Sequence, residues 1–346
     1  MAFTAQELEN ISNAALDFHL RGAVHKQSIQ DKPLYRALRA KQKTFPGGKE
    51  KITKRAKGDY TVGIQGYTHD DVVTYVNPAN IKQAEYSWYE IHAGIQFTMT
   101  ELKKDGVSVV DSLNGANTSQ HSQREKTALA GILEDKMEDM SEGYSRGMNE
   151  MYWRDGTADT KQAPGVQSVI LGAPSSATIV GGIDQQANTW WRNRASLALV
   201  ASTPSNMIVV KKLEVEMRQL RRYGGRPSVA FAGADFLDHL NAEILSKGNY
   251  TQTGFNSNGA TDIGMADVKF KNIPFIYDPT LDDESLAKYC YIMDLRHMRP
   301  YVMEGEDDKT HSPARPDDQY IVNRAMTWTG GFVCWQRNAQ GVYSIA

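Results

Sequence analysis

One segment constrains this chain more than any other. Between Ser122 and Trp153, Leu129, Leu133, Met137, Met140, Tyr144, Met148 and Met151 follow one another at steps of four and three. That spacing lays them on one face of a helix. Glu134, Asp135, Glu138, Asp139 and Glu142 fall mostly on the opposite side. Ser122-Gln123-Arg124-Glu125 has the form of a capping box at the start, and Asp155-Gly156 supplies a stop. The pattern predicts an amphipathic helix about 45 Å long at about 1.5 Å per residue. That exceeds the three or four turns usual in globular proteins. Gly143 and Gly147 in its second half mark a bend or a close approach.

The flanking segments are of other kinds. Thr4-Ala5-Gln6-Glu7 is a capping pattern for a short helix running to about Leu20, and Pro33 suits the first turn of a second, ending near Lys43. Phe45-Pro46-Gly47-Gly48 breaks that helix. From Lys49 to about Thr100 the composition is that of β structure, with recurrent Tyr, Val, Ile and Thr punctuated by Gly58, Gly63, Gly66 and Asn77-Pro78. Apolar residues are thin there, and a long hairpin of this kind is marginal alone in water, so it needs another surface to lie on. Beyond the long helix, strands and helices alternate as in a mixed α/β domain. A helix carries Leu213, Met217 and Leu220, Ser228–Ala232 is a strand, and a further helix runs from Asp235 to Ser246. A polar loop spans Lys247 to Gly264, and strands follow at 268–270, 274–277 and 289–293. The C-terminus is predicted as a strand from Gln319 to Trp328, a turn at Gly330-Gly331, and a return through Phe332 to Ile345.

Length sets an expectation of about two domains for 346 residues. Apolar residues are 40% and charged residues 23%, a globular composition, yet the mean hydropathy of -0.51 is polar for this size. That combination suggests an extended or flattened subunit whose surface neighbours complete. No apolar run reaches the roughly 18 residues of a membrane span, and the first residues lack the features of a signal peptide. Two cysteines, Cys290 and Cys334, fit a reducing compartment and buried structural thiols. The 39 basic and 41 acidic side chains nearly cancel overall but not locally. Residues 1–60 hold 12 Lys and Arg against 6 acids, whereas 278–318 hold 11 acids against 5 bases. Within the basic segment Lys49, Lys51, Lys54, Arg55 and Lys57 crowd the start of the hairpin. Glu304, Glu306, Asp307 and Asp308 form a matching acidic cluster, so the two groups are candidates for contact between subunits.

Catalytic chemistry is missing from the pattern. There is no G-x-G-x-x-G after a strand, no phosphate-binding loop, no H-E-x-x-H and no G-x-S-x-G. His239 and Glu243 stand at helical spacing, and two residues are an incomplete metal or acid–base site. Trp190-Trp191 suits a packed core better than a ligand platform. The expectation is a non-enzymatic protein with no catalytic residue, cofactor or metal.

The order of parts resembles the major capsid (head) protein family of tailed bacteriophages, whose fold is shared with encapsulins. Thr100-Glu101-Leu102-Lys103-Lys104-Asp105-Gly106 is similar to the segment before the spine helix of that family. Val180-Gly181-Gly182-Ile183-Asp184 followed by Trp190-Trp191-Arg192-Asn193 is similar to the stretch after it. Gly224-Gly225-Arg226-Pro227 and Asn272-Ile273-Pro274-Phe275-Ile276-Tyr277-Asp278-Pro279 resemble its axial domain. The resemblance implies an α+β fold with an N-terminal arm (1–44), an extended β-hairpin or E-loop (45–100) and a peripheral domain (101–190) carrying a spine helix at 122–153. An axial domain (191–300) and peripheral return strands (301–346) complete it.

The resemblance further implies self-assembly into hexamers and pentamers of an icosahedral shell that packages double-stranded DNA without sequence-specific binding. It places the protein in the virion, assembled in the bacterial host cytoplasm. With the arm beginning close to Met1, a separate scaffolding protein is expected, along with a portal and a decoration protein. Some members join subunits through a Lys–Asn isopeptide bond with a Glu as base. Asn323 stands at the corresponding place here, but Gly330 replaces the Glu, so that reaction is expected to fail. The rival readings are an encapsulin-type shell around protein cargo and a soluble enzyme using the 247–264 loop as a lid.

Overall fold

The computed structural model describes residues 29–60, 62–77, 80–98, 123–201, 203–246, 268–311 and 321–346. The chain divides into two compact units, Met1–Asp31 and Lys32–Ala346. Of the first, only 29–31 are described, and Ile29 is exposed. The helix expected at 4–20, the 100–106 segment and the 247–264 loop lie outside the described residues, as do the side chains of Leu129 and Leu133.

In the second unit the elements run in chain order. Helix α1 (Pro33–Arg39) leads to strands β1 (Lys43–Phe45), β2 (Lys51–Lys57), β3 (Ile81–Ser87) and β4 (Tyr89–Thr98). The long helix α2 spans Gln123–Trp153, with a short turn of helix α3 at Val166–Val169 and a small hairpin of β5 (Ile179–Val180) and β6 (Ile183–Asp184). Then come β7 (Arg194–Leu199), α4 (Ile208–Arg221), β8 (Val229–Ala232), α5 (Ala234–Ser246), β9 (Val268–Phe270) and β10 (Ile273–Tyr277). Helix α6 (Pro279–Asp283), β11 (Tyr289–Met293), β12 (Met298–Met303), β13 (Lys309–Thr310), β14 (Ile321–Cys334) and β15 (Gly341–Ile345) complete the chain.

Two sheets organise these elements. The first has the order β1-β12-β14-β13, and β4 also pairs along β14 through ten residues, Tyr89–Thr98 against Ile321–Gly330. The second runs β7-β15-β11-β8-β10-β9. Alternation along its central strands decides what each face covers, because successive side chains point to opposite sides. Val229, Phe231, Tyr291, Met293 and Val342 join one core with the end of α2. Ala230, Ala232, Cys290, Ile292 and Tyr343 join a second core with α4 and α5. Both faces are buried, and that is why these strands read as continuous apolar runs.

The long helix forms as its spacing requires. Met140, Tyr144, Met148 and Met151 are buried, while Glu138 and Asp139 are exposed. Its C-terminal turn is pinned by a buried polar cluster. Trp153 Nε1 donates to Asp278 Oδ2 at 2.9 Å, and Asn149 Nδ2 donates to Thr280 Oγ1 at 2.7 Å. Asn149 Oδ1 in turn accepts from the Tyr35 backbone N–H at 2.8 Å, which ties α1 to the helix. Burial pushes the Asp278 carboxyl up, against the pull of these donors.

The structure corrects two sequence expectations, both of them about glycines. Gly143 and Gly147 mark no close approach: α2 is continuous through both, and a Cβ at either would meet nothing within 4 Å among the described residues. Gly330-Gly331 is not a turn, since β14 runs straight through it to Cys334. These glycines answer to crowding. A Cβ on Gly330 would lie 2.5 Å from Tyr301 O and 2.7 Å from the Trp328 ring, and one on Gly331 would lie 2.5 Å from Ser87 O. The last strand also leaves the first sheet: β15 pairs with β7 and β11 in the second, so 301–346 is shared between both sheets. The 45–100 segment is likewise divided, with β2 and β3 forming a separate two-stranded ribbon and β4 joining the first sheet.

Candidate interaction surface

The ribbon of β2 and β3 carries a stretch, residues 62–77, that is exposed throughout. Strands β2 and β3 pair in register from Lys51 opposite Ser87 to Lys57 opposite Ile81. At its root the chain is closed by Gly58 N–H donating to Asn80 O at 2.7 Å. A Cβ on Gly58 would sit 2.7 Å from the Trp190 ring, so glycine lets the ribbon press onto that indole. Ala56 and Ala84 pack with Trp191 and Ile183 beneath it. The hairpin of β5 and β6 turns through Gly181 and Gly182, both at positive φ, in contact with the ribbon through Glu85 N–H to Gly181 O.

Beyond the root, residues 62–77 run out with little regular pairing. Thr68 N–H and hydroxyl both donate to Asp71 Oδ2, at 2.8 and 2.9 Å, and close the tip. Those two hydrogen bonds hold the Asp71 carboxyl below its ordinary range. Gln65 braces the two arms by donating to Val72 O and accepting from Thr74. The large side chains of this tip face solvent: Val72 is 85% and Tyr75 94% exposed, and Ile64 is fully exposed. Tyr60, Val62, Tyr67 and Val76 are also exposed. A contiguous stretch of such side chains marks an interaction surface. Sequence reasoning found the hairpin and its need for a covering surface, but not that its apolar residues collect at the tip.

The charged clusters are distributed differently from the sequence expectation. Strand alternation separates the basic residues, with Lys51, Arg55 and Lys57 exposed and Lys54 turned inward. The Lys54 ammonium lies 4.6 Å from the Tyr301 ring centre and 5.9 Å from that of Trp335, so it serves packing within the chain. Lys51 pairs with Glu85 across the ribbon at 3.3 Å, and Lys57 lies 4.5 Å over Tyr60. On the acidic side, Asp308 pairs with Arg39 and accepts from the Tyr144 hydroxyl, Asp307 accepts from Gln42 at 2.6 Å, and Glu306 pairs with Lys309. These contacts hold α1 and its following turn against α2 and the first sheet. Lys49 and Glu304 stand exposed.

The remaining chemistry-bearing residues have structural roles. Glu243 is buried and accepts from the backbone N–H groups of Val209 and Val210 at 3.0 and 2.9 Å, capping α4 where Met207 enters it at positive φ. His239 is half-buried one turn earlier and shares no bond with it in that arrangement. Burial pushes the Cys334 thiol up to about 12 and raises that of Cys290 further, as suits inert core thiols. Trp191 is buried, with its indole N–H on Val180 O. Among the described residues no group of three or more His, Cys, Asp or Glu is placed to hold a metal, and no helix is long and apolar enough to cross a membrane.

Sequence did not single out Arg337. Its guanidinium is fully buried and bonded to Val169 O, Trp191 O, Gln185 Oε1 and Asn193 Oδ1, at 2.8 to 3.2 Å. All four acceptors are neutral, and burial holds its pKa below the ordinary value. This one side chain ties the segment after β6 to the C-terminal return.

No family model matches the chain, and no curated protein matches it in sequence. Its likeness is one of fold, and that fold is the one found in phage capsids. A chain of the cyanophage A-1(L) capsid asymmetric unit superposes with a TM-score of 0.67 at 15% identity, covering 93% of this chain and 94% of that one. The capsid of Myoviridae phage XM1 gives 0.55 at 12% identity, covering 100% and 99%. The capsid of a native GTA particle gives 0.53 at 12% identity, covering 94% and 92%. The α+β capsid fold implied by the sequence resemblance is thus present over nearly the whole chain.

Proposed function

We propose that this chain is the structural major capsid protein of a tailed bacteriophage, and that it works by assembly and not by catalysis. The observation that carries the reading is the ribbon tip: on a capsid fold, an extended hairpin holds its large apolar side chains in solvent, where a neighbouring molecule can cover them. Copies associate into hexamers and pentamers of an icosahedral shell enclosing double-stranded DNA. A scaffolding protein, a portal and a decoration protein are its further partners, and the shell forms in the host cytoplasm before residing in the virion. In this reading 1–44 is the arm, 45–100 the E-loop, 101–190 the peripheral domain, 191–300 the axial domain and 301–346 the returning segment. The basic root of the ribbon meets a neighbour, with Lys49, Arg55 and Lys57 opposite Glu304 and the outer faces of Glu306 and Asp307. Lys51, Lys54 and Asp308 support that contact from their partners within the chain.

No carboxylate can be placed at Gly330 against Tyr301 O, so the isopeptide route through Asn323 lacks its base. The reported structural relatives are phage and GTA capsids, which favours a DNA-filled head over an encapsulin-type compartment. Electron microscopy of the purified protein tests the proposal. Uniform shells are expected, with strong absorbance at 260 nm when they are recovered from infected cells. A monodisperse small species under all assembly conditions overturns it.

A further inference from the structure

We propose that the cleft lined by Trp190 and the end of α4 binds a nucleoside phosphate, either free or as one unit of a nucleic-acid strand. The inference goes beyond assembly and is tested apart from it. The cleft holds about 420 Å³, within the roughly 300–1,000 Å³ of small-molecule sites. Four separate parts of the chain wall it: Asp59 at the ribbon root, Trp190 and Arg192 after β6, Arg222 and Tyr223 at the end of α4, and Asn338 before β15.

Each kind of side chain in this wall suits a different part of that ligand. Arg192 donates through Nε to Gln185 O at 2.8 Å and through Nη2 to Gln186 O at 2.7 Å, which fixes its guanidinium and leaves Nη1 without a described partner. Arg222 is exposed, with its guanidinium 5.5 Å from the Tyr223 ring centre. The described partners of both cations are neutral, so a phosphate supplies the charge they lack. Arg194 also lines the cleft but is committed to the buried Glu216 at 2.8 Å. Trp190 and Tyr223 add two aromatic rings, and bases stack on such rings. Asn338 Oδ1 is buried with no hydrogen-bond partner among the described residues, and a buried acceptor is normally satisfied. The amino group of a base or the hydroxyl of a sugar satisfies it. Asp59, the one acid among the residues lining this cleft, offers a second acceptor to the same donors. An inorganic anion would leave the rings and Asn338 unused, and an apolar ligand would leave the cations uncompensated. A nucleoside phosphate meets all three requirements.

Equilibrium dialysis of the purified full chain against deoxyadenosine 5′-monophosphate tests the site, in about 0.15 M salt to screen non-specific attraction. One saturable site per chain is expected. Deoxyadenosine and inorganic phosphate each carry only part of the chemistry and are expected to bind at least tenfold more weakly. Arg222→Glu and Tyr223→Ala change exposed side chains of the cleft; each is expected to keep its circular dichroism spectrum and lose at least tenfold in affinity. Arg221→Glu alters an exposed arginine outside the lining and is expected to bind within about twofold of the unaltered chain. A ten-nucleotide single strand of deoxyadenosine units identifies the source. Affinity at least tenfold above that of the mononucleotide assigns the site to a strand, and anything less assigns it to the free nucleotide. The proposal is overturned by no saturable binding, by phosphate bound as tightly as the mononucleotide, or by affinity retained in the Arg222 and Tyr223 variants. Equal loss in Arg221→Glu and Arg222→Glu overturns it too, as general attraction to a basic surface. Each of these results leaves the assembly reading standing, since electron microscopy of shells reads that separately.

Discussion

Single residues in this chain show how a pattern can hold true while its meaning changes. His239 and Glu243 share a helix face as their spacing requires, yet the carboxylate is spent on Val209 and Val210 N–H. Glu243→Ala strands two buried donors and is expected to cost about 2–3 kcal/mol, read as a lower urea midpoint, while His239→Ala costs far less. Glycine carries the same lesson. Gly330→Ala drives a Cβ to within 2.5 Å of Tyr301 O and is expected to cost about 3 kcal/mol. Gly143→Ala, exposed in mid-helix with no described residue in the way of its Cβ, is expected to gain about 0.5–1 kcal/mol. Thermal unfolding of the two variants side by side checks both signs.

At the scale of elements, α2 is the best test of sequence periodicity. Met140 is buried and Glu138 exposed, two residues apart on opposite faces. Met140→Asp buries a charge at a cost of several kcal/mol and is expected to give insoluble protein. Glu138→Asp is expected to leave yield and melting temperature nearly unchanged. Equal damage at both positions in a solubility assay would contradict the register. The ribbon behaves differently, since β2 and β3 have little besides Ala56, Ala84, Ile52 and Tyr86 to pack inward. A two-stranded ribbon with so little core holds by its seat on Trp190 and Trp191 and leaves its tip to a partner.

For the whole molecule, charge location outweighs net charge. Reversing Lys51, Lys54 and Lys57 together would strip Lys54 from Tyr301 and Trp335, confusing folding with assembly. The cleaner change is Lys49, Arg55 and Lys57 to Glu, three exposed positions. It is expected to leave the circular dichroism spectrum unchanged and to abolish shells in electron microscopy. One exposed pair contributes only about 0–1 kcal/mol, so each single reversal is expected to do little. The sum over a closed shell is what the triple change removes.

Much of the fold was legible in the sequence because its signals are local. The α2 periodicity, the strands at 229–232, 273–277 and 289–293, and the hairpin after Pro46 all follow from side-chain alternation and turn chemistry within a dozen residues. What required tertiary structure depends on neighbours distant in the chain. Gly330 is a glycine because of Tyr301, Glu243 is a cap because α4 begins beside it, and Arg337 is buried because four residues distant in the chain offer it oxygens. The interaction surface belongs with these: spacing could place the apolar residues in a hairpin. Only the packed structure decided that Ala56, Ala84 and Tyr86 pack with Trp190 and Trp191 while those at the tip remain in water, since burial depends on which surfaces fold back and not on the order of residues along the strand.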